Sequence, residues 1–366
     1  MRSSARTRRT RRSLGGLLAT TLLVVLAACG GSSSTDDTST DASTDASDDA
    51  TPVTIDGTSI TVYSGRSEAL VQPLIDEFTA TTGVTVEVRY GDSGELAALL
   101  LTEGDASPAD VYFGQDAGAL GAIEDAGLFA TLPDATLSLV DAAFRSVNGG
   151  WIGTSGRARV IVYNPELAPT PPASLDDLLN VQWKGKIGYA PTNASWQSFV
   201  TALRVVRGED GAEKWLTGFA ANEPVAYEKN GVVRDAVNSG EVALGLINHY
   251  YLYEKIKAEG ADAVVAKNHY LRDGDAGSLV NVAGAGILAT SANPAGAQAF
   301  IDFLLSKSGQ EYFANVTFEY PLIAGVPPYE GLPSLEELNA PTIDLADLKS
   351  LEATQDLLAR VGLLTK

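Results

Sequence analysis

Apolar and polar positions along the chain follow two periods, and their order predicts the elements. From about position 59, short runs with a two-residue period read as strands, and longer stretches with a 3.6-residue period read as amphipathic helices. Ile60 to Tyr63 is a strand, Glu68 to Thr81 a helix and Val84 to Tyr90 a strand. Leu96 to Glu103 is a helix, Asp110 to Phe113 a short strand, and Ala117 to Ala126 a helix closed by Gly127. Strands alternating with helices imply βαβ units and a parallel sheet. Trp151 to Tyr163 is an extended run without helical continuation, placed to cross between two lobes.

A second series follows. Ser174 with Asp177 reads as a helix N-cap pair. Lys186 to Ala190 is a strand, and Trp196 to Arg207, Glu213 to Ala221 and Val232 to Asn238 are helices. The stretch Glu241 to Tyr253 then runs from an apolar strand, Val242 to Ile247, into a polar corner, Asn248-His249. Two adjacent tyrosines, Tyr250 and Tyr251, open an amphipathic helix there. Ligands of open α/β sheets sit beyond the carboxyl ends of strands, so this corner is the foremost candidate site. Leu279 to Leu288 is a Gly-rich strand that returns to the first lobe, Pro294 to Ser306 and Gln310 to Ala314 are helical, and a final helix spans Leu348 to Leu363. The pattern describes two α/β lobes with a cleft between them.

The start of the chain has a different character. Residues 1–29 pair an Arg-rich opening with an apolar run, Leu14 to Ala28, that is short for a membrane span. The run ends in Leu26-Ala27-Ala28-Cys29, which resembles a bacterial lipobox whose cysteine is lipidated and becomes the mature N-terminus. Thr10-Arg11-Arg12-Ser13-Leu14 also resembles a twin-arginine export signal, and both export routes stay open. Residues 30–57 are Ser, Thr, Asp, Ala and Gly with little to bury, a disordered tether between lipid and domain.

Charge and cysteine usage narrow the function. The net charge is −20, and the first 29 residues carry six Arg and no acid, so the remainder sits at −26. That balance argues against a nucleic-acid partner, which needs a basic patch. The single cysteine, Cys29, excludes a disulfide framework and a Cys-based zinc site. No Gly-x-Ser-x-Gly elbow, P-loop or His-Glu-x-x-His is present, and the two histidines, His249 and His269, do not have metal-pair spacing. Enzymatic catalysis is therefore not expected.

Six segments in chain order carry a family resemblance. They are Ile60-Thr61-Val62-Tyr63-Ser64-Gly65-Arg66, Ser107-Pro108-Ala109-Asp110-Val111, Ser155-Gly156-Arg157-Ala158-Arg159-Val160, Ala190-Pro191-Thr192-Asn193, Ile247-Asn248-His249-Tyr250-Tyr251 and Glu319-Tyr320-Pro321-Leu322. Together they resemble the iron(III) substrate-binding proteins of bacterial ABC importers, over roughly residues 59–325. The resemblance implies a two-lobed periplasmic-binding-protein fold of type II, with a transferrin-like cleft between two βα lobes. It implies Fe3+ held by Tyr250 and Tyr251, and a synergistic phosphate or carbonate at Asn193, Ala194, Ser195, Asn230 and Asn248. It also implies delivery to permease and ATPase subunits by a monomeric receptor on the outer face of the cytoplasmic membrane, anchored through Cys29.

Elementary chemistry agrees with parts of this. Ferric iron is a hard cation, phenolate is a strong oxygen donor, and a bound cation favours the deprotonated ligand. Successive helical residues point about 100° apart, so two adjacent tyrosines converge only at a helix start facing a cleft. Asn193 is a good N-cap ahead of the helix from Trp196, and free N–H groups at a helix start attract anions. Arg157 would add a fixed charge.

The pattern also departs from the family. Ser67 stands where one branch has histidine, Gln115 followed by Asp116 where that branch has glutamate, and Trp196 where another branch has tyrosine. Asp116 and Gln115 are therefore candidate replacement ligands. Tyr63, Tyr189, His249 and Tyr320 are read as packing residues near the cleft. The alternative ligand is a metal-free anion such as a sugar phosphate or phosphonate, for which Asn193, Asn230, Asn248 and Arg157 would serve. The expected division is a lipoprotein signal peptide (1–29), a linker (30–57), a first lobe (58–156, completed by 280–333), a second lobe (157–279) and a C-terminal helical tail (334–366).

Overall fold

The computed structural model describes residues 59–364. The signal segment with Cys29, the linker and residue 58 lie outside the described residues.

The first elements are β1 (Ser59–Ser64), α1 (Glu68–Thr82), β2 (Thr85–Tyr90), α2 (Ser93–Glu103), β3 (Val111–Gly114), α3 (Ala117–Asp125) and the single turn α4 (Asp134–Leu137). Next come β4 (Ile152–Tyr163), β5 (Ile187–Tyr189), α5 (Ala194–Ala221), β6 (Val225–Ala226), α6 (Asn230–Ser239), β7 (Leu244–Asn248), α7 (Tyr250–Glu259) and β8 (Lys267–His269). The chain ends with β9 (Val280–Ile287), α8 (Pro294–Leu304), α9 (Lys307–Asn315), the turn α10 (Leu335–Leu338) and α11 (Leu351–Arg360).

The strands order as β2-β1-β3-β9-β4-β7-β5-β6, with β8 pairing the far end of β4. Strands joined through helices are parallel, as the alternation predicts: β2-β1-β3 on one side and β7-β5-β6 on the other. The two long strands, β4 and β9, run antiparallel to their neighbours. The first part of β4, Ile152 to Ala158, pairs β9, and the second part, Arg159 to Tyr163, pairs β7. One strand thus belongs to both half-sheets, which is the crossing expected of Trp151 to Tyr163. Eleven of its twelve residues are buried, as a strand covered on both faces requires.

Each half-sheet has its own core. On the β1 side, Phe78 and Phe113 meet Phe300 edge-on, and Val62, Leu74 and Ile301 fill the gaps. On the β7 side, Trp215 stacks on Phe219 at 5.1 Å, with Trp196 and Tyr189 against them. Aromatic side chains of this size dominate core energetics.

Several local expectations meet a geometric limit. The helices foreseen at Trp196 to Arg207 and Glu213 to Ala221 are the two arms of α5, broken where Gly208 takes φ 71° and ψ 168°. Only glycine enters that region without strain. The final helix is likewise interrupted: a 3₁₀ turn at Leu345–Lys349 precedes α11, and Ser350 between them is non-helical. Ser174 does cap Asp177 at 3.2 Å, but on a 3₁₀ turn, Asp176–Leu179, rather than an α-helix.

The crossing leaves little room. A Cβ on Gly284 of β9 would lie 2.7 Å from both the Ile152 carbonyl of β4 and a Leu120 methyl. Gly284→Ala is therefore expected to destabilise the protein by about 1–3 kcal/mol through overpacking, measured as a lower midpoint of thermal or urea unfolding.

Candidate functional site

β7 ends at the junction of the half-sheets, and its polypeptide turns at His249 into α7, so Tyr250 and Tyr251 occupy the first two helical positions. Their rings stack, with centroids 4.3 Å apart and planes at 28°. The convergence that 100° spacing opposes is achieved by this placement at the helix start. Tyr250 is buried, and Tyr251 is half-buried.

His249 holds the corner. Its Nδ1 accepts from the Ala158 N–H at 3.1 Å, its Nε2 meets the Phe318 carbonyl at 2.7 Å, and its ring packs 4.8 Å from Tyr320. Burial pushes its pKa down to about 4, so the ring is neutral at physiological pH. Tyr63, Tyr189, His249 and Tyr320 are all buried among core neighbours, in keeping with packing roles.

Beneath the tyrosines lies a charge cluster. Arg66, from the loop after β1, donates two hydrogen bonds to Glu319, at 3.0 and 2.6 Å. Arg157 of β4 places its Nε 3.9 Å from the same carboxylate. Both ends of the Arg66–Glu319 pair are 1% exposed. Burial opposes each charge, but the bidentate contact outweighs it: Glu319 is held below the usual carboxylate range and Arg66 above its ordinary value. Arg157 is shifted down, first by burial and then by Arg66, and its Nε and Nη2 have no hydrogen-bond partner. Burial, then the adjacent Tyr251, pushes the Tyr250 phenol well above its ordinary value, while Arg157 pulls it down. Tyr250 is thus a neutral phenol.

The asparagines and Ser195 form one network. Asn193 caps α5: its Oδ1 accepts from the Ser195 N–H at 3.0 Å, the Ser195 hydroxyl at 2.7 Å and the Asn230 amide at 3.1 Å. The Asn230 amide also donates to the Ser195 Oγ at 2.9 Å. Asn248, at the end of β7, borders a cavity of about 10 Å³ with Arg157, Arg159, Ser195, Leu279 and Asn281. The structure therefore unites Asn193, Ser195, Asn230, Asn248 and Arg157, which is buried rather than on the surface. Ala194 faces outward into a larger cavity of about 420 Å³, shared with Asn193 and, from the opposite half, Arg66, Ser67 and Gln115.

Asp116 caps α3, its Oδ1 accepting from Gly118 and Ala119 N–H at 3.1 and 3.3 Å. Burial raises its pKa and Arg157 opposes the rise. Gln115 uses its backbone N–H on Ser93 Oγ at 2.9 Å. Trp196, in place of a tyrosine, lies under the Arg159 guanidinium, 5.7 Å from the ring centre. Among the described residues, no three His, Cys, Asp or Glu side chains come together as a metal site.

Arg66, Arg159, Asn281 and Glu319 are site residues that sequence reasoning did not single out. Arg159 had a signal: it alternates with Arg157 in an otherwise apolar strand, so both point away from solvent on one face. It donates to the Leu246 carbonyl at 2.9 Å and to Ser195, and burial lowers its pKa to about 9. Asn281 of β9 accepts from the Ala117 N–H at 3.3 Å, linking the cavity to α3. Glu319 carried no comparable mark.

Removing one partner of a buried ion pair leaves an uncompensated charge. Glu319→Leu is expected to cost about 3–5 kcal/mol of folding stability, and the double variant Arg66→Met, Glu319→Leu to recover most of it. Urea unfolding of Arg66→Met, Glu319→Leu and the double variant measures the coupling.

Comparison with known proteins places the chain. The family model described as bacterial extracellular solute-binding protein matches residues 63–311. An Fe(3+)-binding periplasmic protein of Serratia marcescens is 38% identical over 83% of this chain and 90% of its own length. The crystal structure of iron-bound HitA from Pseudomonas aeruginosa is similar, with a TM-score of 0.79 and 36% identity over 84% of this chain and all of that one. The Trichodesmium protein IdiA (FutA), solved with iron and citrate, has a TM-score of 0.74 and 31% identity over 83% of this chain and 99% of its own. By its matched family model, its curated relative and its fold, the chain belongs to the bacterial extracellular solute-binding proteins, in the branch of iron(III) ABC-importer receptors.

Proposed function

We propose that this receptor captures Fe3+ in the cleft between its lobes, with Tyr250 and Tyr251 as phenolate ligands, and hands it to the permease and ATPase of an ABC importer. The observation that carries this reading is the stacked tyrosine pair at a helix start, aimed from one half of the fold toward the other beside buried arginines. A trivalent cation supplies what a buried phenol needs in order to ionise.

The charge balance calls for an anion. Fe3+ with two phenolates keeps one positive charge and sits beside Arg157 and Arg159. A synergistic phosphate or carbonate, or a citrate like that bound with iron in the Trichodesmium relative, would neutralise the excess. Asn193, Ala194, Ser195, Asn230, Asn248 and Arg157 are its proposed ligands, and the anion's own oxygens would fill the coordination positions that Ser67 and Trp196 leave open. Asp116 and Gln115 are proposed to close the site from the opposite lobe. A sugar phosphate without metal is the weaker reading, because the relatives that match most of the chain are named for ferric iron.

The lobes in this reading are 58–156 with 280–333 and, opposite, 157–279, a division supported by the changeover of β4 from β9 to β7 at Ala158 and Arg159. Residues 1–29 would direct export and Cys29 would carry the lipid, leaving 30–57 as a tether for a monomeric receptor without enzymatic turnover.

Ferric nitrilotriacetate titrated into the protein, with and without phosphate, carbonate or citrate, is expected to raise a visible tyrosinate–iron band. Tyr250→Phe, Tyr251→Phe should abolish it, and Asn193→Ala should weaken its dependence on added anion. Absence of any band under every anion would overturn the iron reading.

A further inference from the structure

The C-terminal segment touches both halves of the site. Leu345 and Leu348 of the 3₁₀ turn are buried in the core of the β1 side, against α3. Leu357, Leu358 and Leu363, in α11 and just beyond it, are buried in the core of the β7 side, against α5. The changeover falls between two adjacent residues. Lys349 pairs with Asp125 of α3 at 2.6 Å, while Arg204 of α5 donates to the Ser350 carbonyl and hydroxyl at 3.0 Å each and to Thr354 at 2.8 Å. Thr201 of α5 meets Thr354 at 2.7 Å, and Arg204 is itself held by Glu209 at 2.6 Å.

The two helices so joined are those whose N-termini face each other across the cleft. Asp116 caps α3 and Asn193 caps α5. The turn lies on α3 so closely that a Cβ at Gly118, two residues past Asp116, would be 2.5 Å from the Leu348 carbonyl. Between α2 and α3 on one side and α5 and α11 on the other is a cavity of about 840 Å³ that includes Asp116 and Ala194. Leu101 and Leu351 border it and are among the exposed large apolar side chains, 46% and 37% accessible.

We propose that residues 345–364 are a strap that sets how far the lobes open, with Ser350 as its pivot and Arg204 as the residue that holds the pivot. β4, which passes from one half-sheet to the other, lets the halves hinge. The strap bounds that hinge, because its two anchors are sunk in different cores and the changeover between them falls at the adjacent Lys349 and Ser350. Closing would consume the cavity and bring Leu101 toward Leu351, burying apolar surface that favours the closed form. The strap thereby tunes ligand release, a role that rests on the iron reading, although its control of opening does not.

Lengthening the strap tests this without removing any contact. A Gly-Gly-Gly insertion between Lys349 and Ser350, and separately Arg204→Met, would be made in a Cys29→Ser background. Spin labels at Thr102→Cys on α2 and Asp210→Cys on α5 report the separation of the lobes. In the unloaded protein both changes are expected to broaden the distance distribution and shift it to longer values. In the ferric protein, release to a competing chelator should be about tenfold faster, with the tyrosinate band unmoved. An insertion variant that melts like the parent and keeps its distance distribution would overturn the strap. If the parent shows no ferric band, the iron reading fails, and the distances in the unloaded protein still decide the strap.

Discussion

The constraint that governs this molecule is the reluctance of a buried phenol to ionise. Tyr250 sits at the junction of the half-sheets, where burial and the neighbouring Tyr251 both hold its proton in place. Arg157 pulls the other way, and the salt-bridged Arg66 keeps that arginine from being the only buried charge. The corner is thus poised: its phenol is protonated without a cation, and its buried arginines supply enough positive charge that a cation alone would overload it. Fe3+ together with an anion satisfies both demands, which is why the proposed ligand is the pair.

Placing such a corner requires backbone from distant parts of the chain. β4 supplies Arg157 and Arg159 as it passes from one half-sheet to the other, and β7 delivers Asn248 and the tyrosines beside it. His249 fastens that corner to Ala158 on β4 and to Phe318. Its neutral ring does so without adding a third positive charge next to the arginines. The strand that joins the half-sheets is consequently part of the same piece of structure as the proposed binding corner.

Much of this was legible in the sequence because the relevant signals are local. Strand and helix periods depend on side chains a few residues apart, and they placed β1 to β3, α1 to α3 and the corner at Tyr250 close to where they fall. Asn193 declared itself as a cap by its position ahead of an amphipathic stretch, and Trp151 to Tyr163 was extended and apolar enough to be read as a crossing. Illegible were the short pieces: β6 and β8 have two and three residues and take their strand geometry from their neighbours, not from a pattern of their own.

The sequence by itself determined the alternation of strands and helices, the acidic balance, and the presence of two adjacent phenols at a strand-to-helix corner. Tertiary structure alone decided that Arg66 and Glu319, 253 residues apart, form a buried bidentate pair, and that Arg159 lies on Trp196, the residue that stands where one branch of the family has tyrosine. It also decided that the last helix breaks at Ser350, since each side of the break is buried in a different core. The physical reason is one of range. Periodicity and capping act within a few residues along the chain, whereas desolvation, ion pairing and core burial depend on neighbours in space that only the folded chain assembles.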